Sequence, residues 1–369
     1  MKLEIEAEDL KTALDLVNLA ASREITAKKA GGIARVRVRD FEPLLIEGYG
    51  QHLGVAVELQ ADESDGEGFF NLPIKPLLAL CGDPPSPILK IDASKPGKVG
   101  LKCGSYKGTL QTVPATDWSI PIFAQEVVST IEVSTFTLRG LLTRIQDSIF
   151  TESELVNAAR RVLEGALFVA VDDVLTVYST DNNRLSKASI PCSGTGRFAV
   201  DKSMVLGMLK VLQKAAGNAQ LEVGRSGVVL RTETTRMGSQ VLDLTGTPNL
   251  DVLFSKKHAN LYDFPSKALL RAVKRVQVLG DATAVCVVVG TKSCEISAST
   301  VKAGEASDHF DVETADADTS SFKILAKYLS DACRGAENLR LHADDVPQQI
   351  LIEHLDCEFS TKHVLGAMR

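Results

Sequence analysis

The sequence predicts an α+β chain made of three diverged copies of one strand–helix–strand unit, and three observations carry that reading. An apolar helical stripe returns at a near-constant interval. A phenylalanine marker returns at almost the same interval. Alternating strand patterns with tight turns fill the space between. A chain of 369 residues also exceeds what one hydrophobic core usually supports, so several domains are expected.

Leu10, Ala13, Leu14 and Val17 stand at i, i+3, i+4 and i+7, the buried stripe of an amphipathic helix. The spacing recurs at Leu138, Leu141, Leu142 and Ile145, and at Leu269, Ala272, Val273 and Val276, offset by 128 and 131 residues. A short alternating strand precedes each helix, at 2–6, 129–134 and 259–263. The second marker is Phe70-Asn71-Leu72-Pro73, Phe198-Ala199-Val200-Asp201 and Phe322-Lys323-Ile324-Leu325, offset by 128 and 124 residues. Each ends a strand and opens a helix, and Lys75, Lys202 or Lys327 follows shortly after. Further strands flank turns: 167–171 and 174–179 around Asp172-Asp173, 221–224 and 228–232 around Arg225-Ser226-Gly227, 339–342 and 349–353 around Asp344-Asp345. Each unit then has two helices packed on antiparallel strands, roughly eight of them. Boundaries near 127 and 253 give domains 1–127, 128–253 and 254–369, with Pro121 and Pro248 at the exits.

Composition narrows the function. At 44% apolar and 24% charged residues the chain reads as an ordinary soluble globular protein. It contains no run of 18 apolar residues, and Met1-Lys2-Leu3-Glu4-Ile5-Glu6 alternates where a signal peptide would be uniformly apolar; a cytoplasmic protein away from the membrane is expected. Seven scattered cysteines without a Cys-x-x-Cys pair argue against a disulfide framework and a zinc site. His354, Cys357 and Glu358 cluster, but 354 and 357 face opposite sides of a strand, so no metal site is expected. Asp311, Glu313, Asp316 and Asp318 read as a solvated acidic loop, and so does the stretch 61–67. Gly194-Thr195-Gly196-Arg197 lacks the ending of a phosphate loop. With six isolated histidines and no nucleophile elbow, no catalytic constellation and no cofactor are expected.

The formal charge of −6 hides an asymmetry. The six expected helices, counted over 8–17, 72–81, 137–147, 201–214, 266–276 and 322–332, total +7, which leaves −13 for the rest. In the fifth, Lys267, Arg271, Lys274 and Arg275 share the face opposite the apolar stripe. Basic helices on an acidic body point to a polyanion met through its phosphates, without base readout. The first helix, with Glu8, Asp9 and Asp15 against Lys11, is the exception.

Specific strings resemble the β sliding clamp of bacterial replicative DNA polymerase, along the full chain. Arg161-Val162-Leu163-Glu164-Gly165-Ala166-Leu167-Phe168 resembles that family's tyrosine-Leu-Asn-Gly-x-Leu-Phe segment. Ser179-Thr180-Asp181-Asn182-Asn183-Arg184-Leu185 resembles its Ala-Thr-Asp-Gly-His-Arg-Leu motif. Pro114-Ala115-Thr116-Asp117-Trp118 is similar to its Pro-x-x-Asp-aromatic exit from the first domain, and Val364-Leu365-Gly366-Ala367-Met368-Arg369 to its Met-Pro-Met-Arg tail. Departures mark a divergent member: Asn182-Asn183 stands for Gly-His, Gly366-Ala367 for Met-Pro, and the stretch after Arg23 lacks a Leu-Pro-Ile-Leu string.

The resemblance implies three clamp-type domains per chain and a head-to-tail homodimer, a six-domain ring with helices lining the hole and sheets outside. It implies Val278 and Leu279 at the dimer interface. It implies a cleft between the second and third domains for peptides of the replicative polymerase and the clamp loader, formed by Leu163, Gly165, Thr180, Arg184, Leu185, Pro248 and Val364, with Val252 or Leu253 beside it. Sequence-independent contacts to double-stranded DNA map to Arg23, Lys75, Arg160, Arg161, Lys202 and Lys323, joined by the fifth helix's Lys267, Arg271 and Lys274. A clamp-fold paralogue that encircles nothing and serves as an interaction scaffold is the alternative.

Overall fold

The computed structural model describes residues 1–21, 32–39, 42–50, 52–113, 120–150, 165–280, 283–313, 318–355 and 360–368. Arg23, Arg160, Arg161 and Leu163 lie outside the described residues.

One order of elements runs three times along the chain. The first pass has β1 (Lys2–Glu6), α1 (Ala7–Ala21), β2 (Ile33–Val38), β3 (Leu44–Tyr49), β4 (Leu53–Leu59), a short β5 (Glu63–Asp65) and β6 (Gly68–Pro73). It closes with α2 (Ile74–Gly82), β7 (Ile88–Lys95), β8 (Lys98–Cys103) and β9 (Tyr106–Gln111). The second pass has β10 (Val127–Ser134), α3 (Thr135–Ile145), β11 (Gly165–Val171), β12 (Val174–Thr180), β13 (Arg184–Pro191) and β14 (Gly196–Asp201). Then follow α4 (Lys202–Lys214), β15 (Asn218–Gly224), β16 (Gly227–Arg231), β17 (Thr235–Gln240) and the single turn α5 (Asp251–Phe254). The third has β18 (Asn260–Pro265), α6 (Ser266–Val276), β19 (Ala284–Val289), β20 (Ser293–Thr300), β21 (Gly304–Asp311) and β22 (Ser320–Leu325). It ends with α7 (Ala326–Ala332), β23 (Asn338–Ala343), β24 (Gln349–His354) and β25 (Thr361–Gly366).

The expected stripes are the buried faces of α1, α3 and α6, with every one of their twelve residues in the core. The marker phenylalanines Phe70, Phe198 and Phe322 are buried, each the third residue of its strand β6, β14 or β22. Asp172 and Asp173 both take positive φ, 52° and 59°, as a two-residue hairpin turn matched to strand twist requires. The last helix departs from expectation. It begins at Ala326, so Lys323 lies on β22, opposite Cys286 of β19. Buried Phe322 and Ile324 alternate there with exposed Ser321 and Lys323, the period of a strand.

Among the described residues every strand pairing is antiparallel, in four sheets. One eight-stranded sheet runs β10-β15-β16-β17-β4-β3-β2-β6 and another β14-β11-β12-β13-β25-β24-β23-β18. Two smaller sheets run β5-β1-β7-β8-β9 and β21-β20-β19-β22. The chain divides into two compact units, residues 1–136 with 203–241, and residues 137–202 with 242–369. The first holds one eight-stranded and the five-stranded sheet; the second holds the other two. Among the described residues no helix is long and apolar enough to cross a membrane.

Within the first unit an ion pair is sealed into the eight-stranded sheet. Arg35 of β2, fully buried, donates from Nε and Nη2 to Oε2 of Glu47, its cross-strand partner on β3, at 3.0 and 2.6 Å. Removing Arg35 alone leaves buried Glu47 with only the 3.8 Å contact to Arg37, whereas removing both takes away the fully buried pair and leaves the part-exposed Arg37. Arg35→Met should therefore cost about 3–5 kcal/mol in urea unfolding, and Arg35→Met with Glu47→Leu should recover most of it. Equal losses in the single and double variants would contradict this account.

Candidate functional site

Of the predicted cleft residues, Thr180, Leu185 and Val364 share one face of the second unit's eight-stranded sheet, whereas Arg184, next to Leu185 on β13, points to the other face and Pro248 lies off the sheet. Thr180, Leu185, Val364 and Leu351 are successive cross-strand partners on β12, β13, β25 and β24. Ala199, Leu167 and Tyr178 form the neighbouring row. Residues 242–254 cross this face and pack Leu242, Leu244, Leu250 and Phe254 against both rows. The Leu242 N–H donates to the Ala199 carbonyl at 2.8 Å. Asp251 anchors the crossing: it accepts from the Tyr178 hydroxyl at 3.0 Å and from Lys187 Nζ at 2.6 Å. Burial alone would raise the Asp251 carboxyl, but these two donors hold it below the usual carboxylate range. Burial, reinforced by Asp251, pushes the Tyr178 phenol up. Val252 and Leu253 stay 63% and 44% exposed, and Pro248 is exposed as well. The floor row is buried under these residues, and Val252, Leu253 and Pro248 stand exposed beside it.

Gly165, Thr180 and Arg184 shape this site from inside the fold. A Cβ on Gly165 would sit 1.9 Å from the Val200 carbonyl oxygen and 2.8 Å from Leu242, so only glycine fits. Thr180 Oγ1 donates to the Arg184 carbonyl at 2.7 Å and accepts the Asn182 N–H at 3.1 Å. Arg184 is almost completely buried. Its Nε donates to Asp181 at 2.8 Å, Nη1 to Asp331 at 2.6 Å and Nη2 to the Asp147 carbonyl. Its guanidinium also lies 4.4 Å from the Tyr328 ring centroid. With its donors spent internally, Arg184 braces the turn 180–184. Asn182 has φ 70°, a conformation asparagine tolerates better than most residues, which suits a position where the clamp motif carries glycine. Gly366 donates its N–H to the Asn183 carbonyl at 2.9 Å, and a Cβ there would stand 3.0 Å from that oxygen.

The basic residues differ in how free they are. Lys267, Arg271 and Lys274 are exposed on α6 and make no ion pair among the described residues, whereas Arg275 is held by Asp308 at 2.9 Å. Lys75 is exposed at the start of α2. Lys202 is half-buried and donates to the Ile149 carbonyl at 3.2 Å; Lys323 is exposed but sits on a strand. The described helix bounds leave α7 neutral, with Lys327 against Asp331, and α4 with Lys202, Lys210 and Lys214 and no acid. Lys210 and Lys214, exposed one turn apart, were findable from that spacing. Glu8, Asp9 and Asp15 are exposed on α1, so its acidic surface remains the exception.

Val278 and Leu279 lie in a 3-10 turn, Gln277–Leu279, that packs on β20 and β21. Val278 is 83% exposed, while Leu279 rests partly against the core. β21 and β9 are each an end strand of their sheets.

Other chemistry finds little support. Ser186 Oγ lies 2.7 Å from His363 Nδ1 and 2.5 Å from Ser148 Oγ, yet all three are buried. His354 Nε2 donates to the Ala332 carbonyl at 2.7 Å, with its ring 5.1 Å from that of His363. Cys357 lies outside the described residues. Of the acidic stretch 311–318, Asp311 ends β21 and Glu313 exchanges backbone hydrogen bonds with Asp263, so these two are paired backbone rather than free loop. Among the described residues no three His, Cys, Asp or Glu side chains converge as metal ligands. Burial pushes the thiols of Cys294 and Cys333 up to about 12, away from reactivity.

Solved structures share this fold over the whole chain. The DNA polymerase III β-subunit sliding clamp of Pseudomonas aeruginosa, solved bound to griselimycin, matches with a TM-score of 0.89 at 19% identity, covering 100% of this chain and 99% of that one. The β subunit of Thermotoga maritima matches at 0.87 and 17%, and the sliding clamp of Bacillus subtilis at 0.85 and 16%, each again covering 100% of this chain and 99% of the other. No family model and no curated relative matches the sequence. The chain therefore has the sliding-clamp fold.

The buried histidines generate a pH dependence. Burial pulls His354 down from 6.5 to about 4, and burial followed by the nearby His354, Arg184 and Arg144 pushes His363 well below 6.5. The unfolded chain binds protons that the folded chain refuses. Stability should thus be full above pH 6.5 and fall steadily toward pH 4, by on the order of 3 kcal/mol for His354 alone. Urea midpoints from pH 7.5 to 4.5 check this, and His354→Gln should flatten the slope.

Proposed function

We propose that this chain is half of a homodimeric ring, a β sliding clamp that encircles double-stranded DNA and tethers the replicative polymerase without chemistry of its own. Its three clamp domains would be 1–127, 128–253 and 254–369, its place the cytoplasm, and its partners DNA, the polymerase, the clamp loader and a second copy. The observation that carries this reading is the pattern of sheet edges. Setting β5 aside, each pass supplies eight strands. In the first unit the second pass's last strand, β17, pairs with the first pass's fourth in order, β4. In the second unit the third pass's last strand, β25, pairs with the second pass's fourth, β13. That rule leaves two unmatched strands: β9, last of the first pass, and β21, fourth of the third.

Both are end strands, as closure requires. Counting along the paired strands puts Thr109 where Gly238 and Val364 stand, and Glu305 where Gly54 and Leu185 stand. In that register Lys107 of one copy meets Ser307 of the next, diagonal to Glu305, while Val278 flanks the seam. Two unlike edges make a heterologous contact, which closes into a ring when the rotation allows. Lys267, Arg271 and Lys274, with Lys75, Lys210 and Lys214, would face the phosphates; Lys202 and Lys323 would add charge without a free helical position. Arg23, Arg160 and Arg161 stay in the proposal on resemblance alone. The cleft would have Leu185 and Val364 as its buried floor and the exposed Val252 and Leu253 beside it, with Leu163 and Pro248 at its margins. Gly165, Thr180 and Arg184 would hold its shape.

The protein should run in solution at twice its chain mass and Val278→Arg should run as a monomer; a wild-type monomer would favour the non-encircling scaffold. Loaded on closed circular DNA, it should be retained until the circle is cut, and retention on linear DNA with free ends would count against encirclement. Leu185→Asp should abolish binding of a polymerase-derived peptide, measured by fluorescence polarisation, while the dimer persists; intact binding would place the cleft elsewhere.

A further inference from the structure

The two closed junctions share one register and are finished differently. The row Thr180, Leu185, Val364 and Leu351 at the second junction corresponds to Tyr49, Gly54, Gly238 and Val229 at the first. The crossing segments correspond too. Ile122-Phe123 and Leu253-Phe254 stand the same number of residues before α3 and α6, each in a single helical turn, Pro121–Ala124 and α5.

On the glycine floor the turn sinks. A Cβ on Gly54 would lie 2.4 Å from Ile120, one on Gly227 1.8 Å from Ile122, and one on Gly238 3.0 Å from Ile122 and 3.2 Å from Phe123. Arg236 lies over the Phe123 ring, 4.8 Å from its centroid. Where the floor is Leu185 and Val364, Leu250 and Phe254 pack on it and Leu253 stays exposed. Both floors are thus covered by the chain, and only at the second does the turn leave an aliphatic side chain, Leu253, exposed. The filling is loosely held. Gln125 Nε2 and Oε1 and Arg236 Nε are buried without a hydrogen-bond partner among the described residues, and the Arg236 bond to the Phe123 carbonyl is long at 3.4 Å. A residual cavity of about 110 Å³ lies beside it, bordered by Tyr49, His52 and Ile122.

We propose that the first junction is a latent second peptide groove, shut by residues 120–125, whose ligand is a peptide presenting an aliphatic–aromatic pair where Ile122-Phe123 now sit. The ligand class rests on the cleft reading above; the groove itself does not. Calorimetric titration of the full-length protein with a labelled decapeptide ending in Leu-Phe tests this through stoichiometry. Wild type should bind one peptide per chain, and Ile122→Ser with Phe123→Ser should bind two. Gly238→Asp added to that background should return the count to one. If the double variant does not fold, Phe123→Ala takes its place with the same expected gain. One peptide per chain in a folded variant, two in wild type, or a gained site that Gly238→Asp leaves intact would each overturn the proposal. No binding to wild type but one peptide on the variant would overturn the cleft reading and keep the latent groove.

Discussion

Backbone N–H and C=O groups along a strand edge need partners, and in this chain the strands that end one repeat find theirs in the neighbouring repeat. β4 is completed by β17, and β13 by β25. No repeat is therefore a self-sufficient body, which is why the compact units divide the second pass between them. The same pairing sets the cleft row and leaves β9 and β21 as end strands. Geometry that looks like three separate features is one hydrogen-bonding rule applied along the chain.

The helices were legible because their burial is written at a period that any reader of the sequence can count. Leu10, Leu138 and Leu269 mark faces whose packing is local. The strand partners were not legible in that way, since register across β13 and β25 depends on residues far apart in sequence. Lys323 shows the limit of a window: a charge counted with a helix belongs to the strand before it. Arg184 shows a different one. A motif can mark a residue near a site without saying whether its donors point to a ligand or, as with Asp181 and Asp331, into the protein.

Small differences on a shared frame decide what each junction can do. Gly54 and Gly238 leave room for side chains of the turn 120–124 to sit against the sheet itself, whereas Leu185 and Val364 meet their turn through their own side chains. Charge is distributed as unevenly. α6 carries four cations and no acid, while α1 carries an excess of acids, so a polyanion would not meet equivalent surfaces on the three repeats.

The position of β25 also bears on how the protein is made. It lies between β13 and β24, in the interior of its sheet. Until residues 361–366 have left the ribosome, that sheet exists as two pieces, each with an unpaired edge and the apolar residues Leu185, Leu351 and Ile350 uncovered on either side. Folding of the second unit thus waits for residues 361–366, and a chain lacking them presents those edges to chaperones and proteases.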